Sequence, residues 1–436
     1  MQSRHFVLGA ALLLQAVFPA AHAMGQQALS VLPASVGQTN VSAPALTLEQ
    51  AIGLAFSSNP SLRSATRAIG IADGAVLQAG TRPNPELSIS SEGTNRNTRT
   101  ETAQLSQVFE LGGKRSARIA VAQQERSIAL GQLAIRRADL RADVITAYMD
   151  ALTAQERVTL AQASVDLAHK STDATSRRVA AGKISPVEQT RSTVAEAAAQ
   201  LELNQANADL ALAKRRLTAL WGTTEPLKQD LQEPQAAFVQ LPPWSELQSR
   251  LDSAPQLRVA QSLVTGREAQ VTLERAQRIP DLTLSLGSQR ERELGRTQGV
   301  VGISVPIPLF NRNQGNLLSA LRRADQARDD LEAERLGLNQ ALADAYQRAE
   351  VASTQVTSLR EQIVPAAQSA YDAAATGFAL GKFAFTDVLD AQRTLFQSRT
   401  QYLRALADRY RSIADVQRYV PPEAGASINP IEGKSQ

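Results

Sequence analysis

Apolar positions along this chain follow two rhythms. In the first, Leu140, Val144, Tyr148 and Leu152 recur every four places, flanked by Ile145 and Met149, and Ala199, Leu203, Ala206, Leu210, Ala213, Leu217 and Leu220 step by four and three in alternation. One pattern is the apolar stripe of a helix; the other is a heptad seam, rich enough in alanine for neighbouring helices to approach closely. From Lys114 to Ala180 there is no proline, and Gly131 is the one glycine. A single helix of that length, at about 1.5 Å per residue, is a rod on the order of 100 Å long. Similar rods are expected over 312–379, kinked at Pro365, and over 385–420. The links 181–186 and 380–384, each with a glycine closing one helix, read as helical hairpin turns.

The second rhythm has a period of two. Leu282, Leu284 and Leu286 alternate with Asp281, Thr283 and Ser285; after a polar turn, Val301, Ile303, Val305 and Ile307 alternate with Gly302, Ser304 and Pro306. A weaker version runs through Leu87 and Ile89, then Ala103, Leu105 and Phe109. Such alternation predicts β-hairpins with lipid on one face and water on the other; a hairpin packed on a soluble core is the competing reading. Two hairpins supply four strands, fewer than the eight of the smallest membrane barrel, so closure requires oligomerisation.

Both rhythms occur twice. Asn59-Pro60-Ser61-Leu62-Arg63 returns as Ala254-Pro255-Gln256-Leu257-Arg258, and Pro85-Glu86-Leu87-Ser88 returns as Pro280-Asp281-Leu282-Thr283, both at an offset of 195 residues. Gly182-Lys183 with Glu188 returns as Gly381-Lys382 with Asp387, at an offset of 199. The chain therefore reads as two tandem copies, residues 46–240 and 241–420, each with a short helical start, a β-hairpin and a long helical hairpin.

The ends read differently. Arg4, an apolar core from Phe6 to Val17 and Ala21-His22-Ala23 have the form of a signal peptide over residues 1–23, too short to span a membrane. Residues 24–45 read as an extended segment and 421–436 as a flexible tail. There is no cysteine, and beyond the signal only His169 remains as a histidine, so thiol chemistry and a histidine-based metal or catalytic site have no material. No cofactor is expected. The net charge of +4 comes from acids and bases mixed along the chain, the pattern of solvated helix faces rather than a nucleic-acid surface. No later apolar run reaches about 18 residues, so any membrane crossing has to be made by a barrel.

The order of these elements resembles the TolC-like outer-membrane efflux family. The resemblance rests on Leu46-Thr47-Leu48-Glu49-Gln50-Ala51-Ile52 followed by Asn59-Pro60, on the strand starts at Pro85 and Pro280, on Val305-Pro306-Ile307-Pro308-Leu309-Phe310, and on the turn from Gly381 to Gln392. Gln107-Val108-Phe109-Glu110-Leu111-Gly112-Gly113-Lys114-Arg115 is similar to the branch serving cobalt, zinc and cadmium pumps. The resemblance implies a mainly α protein with a small membrane β-barrel contribution. Three subunits would each give four strands to a twelve-stranded outer-membrane barrel and long helical hairpins to a periplasmic tunnel. It also implies a periplasmic adaptor and an inner-membrane pump of the RND type as partners.

The same resemblance places Asp387 and Asp390 at the narrow end of the tunnel, where threefold symmetry would make each a ring of negative charge that favours cations. Glu188 is the first-copy counterpart of Asp387 and is expected to join the constriction, whereas Arg191 stands in the place of Asp390. On residue types alone, both aspartates equally suit the positive N-terminus of a helix. Gly182, Lys183, Gly381 and Lys382 are the candidate adaptor contacts, since a hairpin end presents backbone and cations to a partner. Phe383 departs from drug-efflux relatives, which often carry arginine there.

The expected function is an exit channel for divalent heavy-metal cations; a duct for organic compounds or for type I protein secretion is the alternative. A periplasmic adaptor would share the heptads but would not need two membrane-type hairpins. An enzyme has the least support: the chain carries no nucleophile, base and acid set and no phosphate-cradling glycine loop.

Overall fold

The computed structural model describes residues 45–95, 97–234, 241–380, 382–383 and 385–420. The expected signal segment and C-terminal tail lie outside the described residues, as does all of the extended N-terminal segment except residue 45. The chain begins with α1 (Leu48–Ser58) and α2 (Pro60–Ala79). Thr47 opens α1 with a capping box, its hydroxyl accepting from the Gln50 N–H while the Gln50 side chain accepts from the Thr47 N–H. Asn59 ends α1 and caps α2, accepting from the N–H groups of Ser61 and Leu62 while its amide donates to the Leu220 carbonyl at 2.7 Å. The conspicuous Asn-Pro pair thus starts a helix, with proline at the first position where its missing N–H costs nothing.

Strands β1 (Glu86–Glu92) and β2 (Thr100–Phe109) follow, then α3 (Lys114–Ala180), α4 (Pro186–Ala219), α5 (Trp244–Arg250), a short 3₁₀ turn, α6 (Pro255–Ala276), β3 (Leu282–Glu291) and β4 (Arg296–Ser304). The second helical hairpin consists of α7 (Gln314–Ser358), a π turn (Leu359–Ile363), α8 (Val364–Ala379) and α9 (Phe385–Tyr419). The proline-free stretch is one helix over its whole 67 residues. The expected kink takes the form of the π turn just before Pro365, whose ring nitrogen has no hydrogen to give the Glu361 carbonyl.

Both predicted stripes face inward. Leu140, Val144, Ile145, Tyr148, Met149 and Leu152 are all buried, in a core shared with α1, α4 and α9. On α4, Leu203 and Ala206 pack against Ala161, and Leu217 reaches the main core. Each buried leucine or valine of this kind stabilises by roughly 1.5–3 kcal/mol relative to exposure. The buried Tyr148 hydroxyl lies between the carbonyls of Leu46 (2.7 Å) and Gln232 (2.6 Å), and Gln155, two turns on, exchanges two hydrogen bonds with the Leu231 backbone. Together they clasp a parallel bridge, Leu46 to Leu231, that ties the start of the first repeat to the segment leaving it.

The four strands form one antiparallel sheet in the order β1-β2-β3-β4, with the repeats joined through β2 and β3. Leu87, Leu105, Leu286 and Val301 align in a single row across it, and Leu284 and Ile303 in the next row on that face. The opposite face carries Ser88, Gln104 and Gly287, then Ser90, Thr102, Gln289 and Gln298. Alternation continues past β4 through Val305 and Ile307, but pairing stops at Ser304 because Pro306 and Pro308 cannot donate to a ladder. Among the described residues, no helix is long and apolar enough to cross a membrane.

Candidate functional site

The two helical hairpin tips carry the candidate residues. At the first, Gly182 has φ +66°, and its N–H donates to the Val179 carbonyl while the Lys183 N–H donates to that of Arg178, both at 2.9 Å. This pair of bonds is the Schellman closure of a helix, and the left-handed residue it requires is why glycine stands there. The Ser185 hydroxyl then accepts from the Val187 N–H, and Pro186 starts α4. Lys183 is exposed and Gly182 is open to solvent, with nothing within 4 Å of where a Cβ would stand.

Glu188 is the third residue of α4, and its carboxylate lies 3.1 Å from the Arg191 guanidinium. Glu188 thus meets a cation of its own helix. About two turns along α4, Glu196 shares a 2.8 Å hydrogen bond with His169 on α3. That bond raises the imidazole pKa, helped by the nearby negative charge of Asp173, and with a hydrogen bond from Thr172 it lowers that of the Glu196 carboxyl.

At the second tip the Lys382 N–H donates to the Gly377 carbonyl at 2.8 Å, the same six-residue closure. Gly381 lies outside the described residues. The Phe383 ring sits directly over Gly377, where any Cβ would come within 2.2 Å of Cδ2. Asp387 is the third residue of α9, as Glu188 is of α4, and Asp390 follows one turn later. Both aspartates are exposed, whereas Val388 between them is 1% exposed and anchors the turn. Between the two hairpins at this level, Gln392 donates to the Ser164 hydroxyl at 3.5 Å.

Farther from the tips the hairpins are joined by charge. Arg411 on α9 pairs with Asp150 on α3, and Arg418 reaches Asp139 at 3.2 Å. A cleft of about 400 Å³ between α3, α4 and α9 is lined by Asp150, Asp209 and Asp408, each held by Arg157 or Arg411. Among the described residues, no group of three or more histidines or acids is arranged to hold a metal ion.

In the sequence, residues 107–115 carry only a resemblance; the structure gives them a role. Lys114 reaches Asp281 at 2.6 Å, the Leu111 N–H donates to the same carboxylate, and Glu110 pairs with Arg118, which pulls the Glu110 carboxyl below its ordinary pKa. These bonds fasten the end of β2 to the start of β3 where sheet becomes helix. The signal was an acid and three bases around a glycine pair, read beside Asp281 at the opposite strand start.

The family description outer membrane efflux protein matches residues 51–223 and again 247–420. Over 373 residues the chain is 44% identical to the cobalt-zinc-cadmium resistance protein CzcC of Cupriavidus metallidurans, covering 86% of this chain and 89% of the relative. It is 30% identical to the nickel and cobalt resistance protein CnrC of the same organism, over 64% of this chain and 67% of that one. The fold matches the CmeC outer membrane channel of Campylobacter jejuni with a TM-score of 0.72 at 15% identity, covering 86% of this chain and 85% of the other. With both halves matched by one family description, the chain belongs to the outer membrane efflux protein family.

Proposed function

We propose that three copies of this chain form an outer-membrane channel that discharges divalent heavy-metal cations delivered by a periplasmic adaptor and an inner-membrane RND-type pump. The observation that carries the reading is the sheet: among the described residues its outer strands β1 and β4 have no partner on their outer edges, while an apolar row crosses all four strands with Leu87, Leu286 and Val301 at least half exposed. An open edge and a bare apolar face of that kind are satisfied by joining sister sheets into a barrel surrounded by lipid. The helices carry a matching demand, since Val187, Val194 and Leu201 on α4 lie seven residues apart and are 57–71% exposed. A heptad stripe left bare in one copy is the seam for another.

Heavy-metal cargo is supported by the likeness to the resistance proteins. In this reading Asp387 and Asp390 form negative rings at the constriction, with Glu188 beside them, and Gly182, Lys183, Gly381 and Lys382 meet the adaptor. The chain conducts and does not catalyse. A strain lacking the gene, tested for zinc, cobalt and cadmium tolerance with and without it restored, examines the cargo. Unchanged tolerance to all three, in the presence of an intact pump and adaptor, would overturn the cargo assignment. Purified protein that stays monomeric in detergent would overturn the channel.

A further inference from the structure

All four strands meet the helices at the same edge of the sheet, because Phe109 pairs with Leu282 and Thr283 with Ser304. The connecting residues 80–85, 110–113, 277–281 and 305–313, with residues 114–118 at the start of α3, therefore form one rim. That rim carries six bases, Arg82, Lys114, Arg115, Arg118, Arg278 and Arg312, against two acids, Glu110 and Asp281. Both acids are already taken, by Arg118 and Lys114. Arg82, Arg278 and Arg312 are exposed and have no ion pair among the described residues. Of the further acids, Glu274 at the end of α6 accepts from the Asn313 amide at 2.6 Å, and Glu86 lies on the face that carries Ser88 and Ser90, opposite the apolar rows.

The far edge is different. Residues 92–101 and 290–296 hold four acids and five bases, and Glu101 and Glu291 are paired with Arg292 and Arg296. The far edge thus has an excess of one base, against four at the helix-side rim. An exposed apolar collar accompanies it there: Ile307 is 78%, Leu309 64% and Phe310 90% exposed. An aromatic and aliphatic collar bordered by unpaired guanidinium groups has the composition of a membrane–water interface, where rings sit among head groups and cations reach phosphate.

We infer that the rim formed by Arg82, Arg278 and Arg312 binds the phosphate head groups of anionic phospholipid in the leaflet on the tunnel side of the membrane. The inference rests on the membrane-channel reading proposed above and adds a lipid preference to it. The arginines fix the depth of the barrel by charge, and the collar fixes it by burial. Each arginine near an anionic surface contributes roughly fivefold in affinity, and that contribution is screened by salt.

The test uses the full-length purified oligomer, reconstituted into vesicles of phosphatidylcholine alone or mixed with phosphatidylglycerol, followed by flotation and by mass spectrometry of the lipid retained after detergent extraction. The unaltered protein should enrich phosphatidylglycerol, less so as sodium chloride rises. The triple variant Arg82→Gln, Arg278→Gln, Arg312→Gln should lose that enrichment at least fivefold while still floating with vesicles. Arg290→Gln with Arg296→Gln, at the far edge, should keep it. Equal enrichment in the rim variant, or enrichment in the unaltered protein that ignores salt, overturns the inference, and the salt series decides it even if the variant misfolds. Failure of the unaltered protein to float with either vesicle would instead overturn the membrane-channel reading beneath it.

Discussion

Arg191 holds the Glu188 carboxylate at 3.1 Å on the first turns of α4, in the position where the second repeat has Asp390. The duplicated tip therefore differs in charge: at these two positions the first copy has an acid and a base, the second two acids. Both residues of the pair are largely solvent-exposed, so the bridge contributes little to stability. Its effect is on the field at the tip. Arg191→Gln should release one negative charge per subunit and move the reversal potential of the channel in a salt gradient toward the cation value, with the melting temperature nearly unchanged. Asp387→Asn with Asp390→Asn should move it the other way. Planar-bilayer recordings in which neither substitution shifts the reversal potential would remove the tip charges from selectivity.

Gly112 is constrained twice. Its φ is +71°, and a Cβ there would stand 2.8 Å from Cδ1 and 2.9 Å from Cβ of Ile279. Gly112→Ala should lower stability by about 2–4 kcal/mol, from a left-handed backbone penalty plus overpacking. Gly70 sits inside α2 with nothing within 4 Å of its would-be Cβ, so Gly70→Ala should stabilise by about 0.5–1 kcal/mol. Thermal unfolding followed by circular dichroism compares the two directly. A Gly112 variant as stable as the parent would mean that the sheet-to-helix junction is looser than these contacts imply.

Phe383 closes the second tip by covering Gly377 rather than by pairing charge. Phe383→Ala should uncover the adjacent Lys382 peptide and raise the rate of limited tryptic cleavage after Lys382 several-fold, while cleavage after Lys183 at the other tip stays constant. Gly377→Ala should act similarly by displacing the ring. Identical cleavage rates at Lys382 in all three proteins would show that the ring does not restrain the turn.

The helical part of this fold was legible because its signals are local. Absence of proline from Lys114 to Ala180, and the alternating steps of four and three from Ala199 to Leu220, are read within one segment, and the helices follow them. The hairpins were legible for the same reason, save that alternation continued through Val305 and Ile307 after Pro306 had ended the ladder. What the pattern could not reveal was long-range. Pairing of β2 with β3 joins residues about 180 apart, and the Tyr148 clasp reaches segments 102 and 84 residues away. At the tips, the alignment of repeats located Glu188 and Asp387 at matching helix positions. That Arg191 turns back onto Glu188 depends on side-chain geometry one turn along, which spacing permits but does not decide.

The clasp at Tyr148 makes a prediction with a defined pH window. Its hydroxyl is fully buried between two backbone carbonyls, and burial pushes its pKa up to about 12 from an ordinary 10. Because the folded value lies above the unfolded one, this contribution is fully present below pH 10 and is lost as pH rises toward 12. Two units correspond to at most about 3 kcal/mol. Tyr148→Phe keeps the ring but removes the donor, which should cost about 1–3 kcal/mol near neutral pH. It should also flatten the fall of stability between pH 10 and 12, though not abolish it, since burial raises Tyr410 to about 12 as well. Denaturant titrations of both proteins at stepped pH would measure the two slopes. Parallel slopes would mean that the phenol ionises without opening the bridge between Leu46 and Leu231, and that the two segments are held by their own backbone bonds and by Gln155 instead.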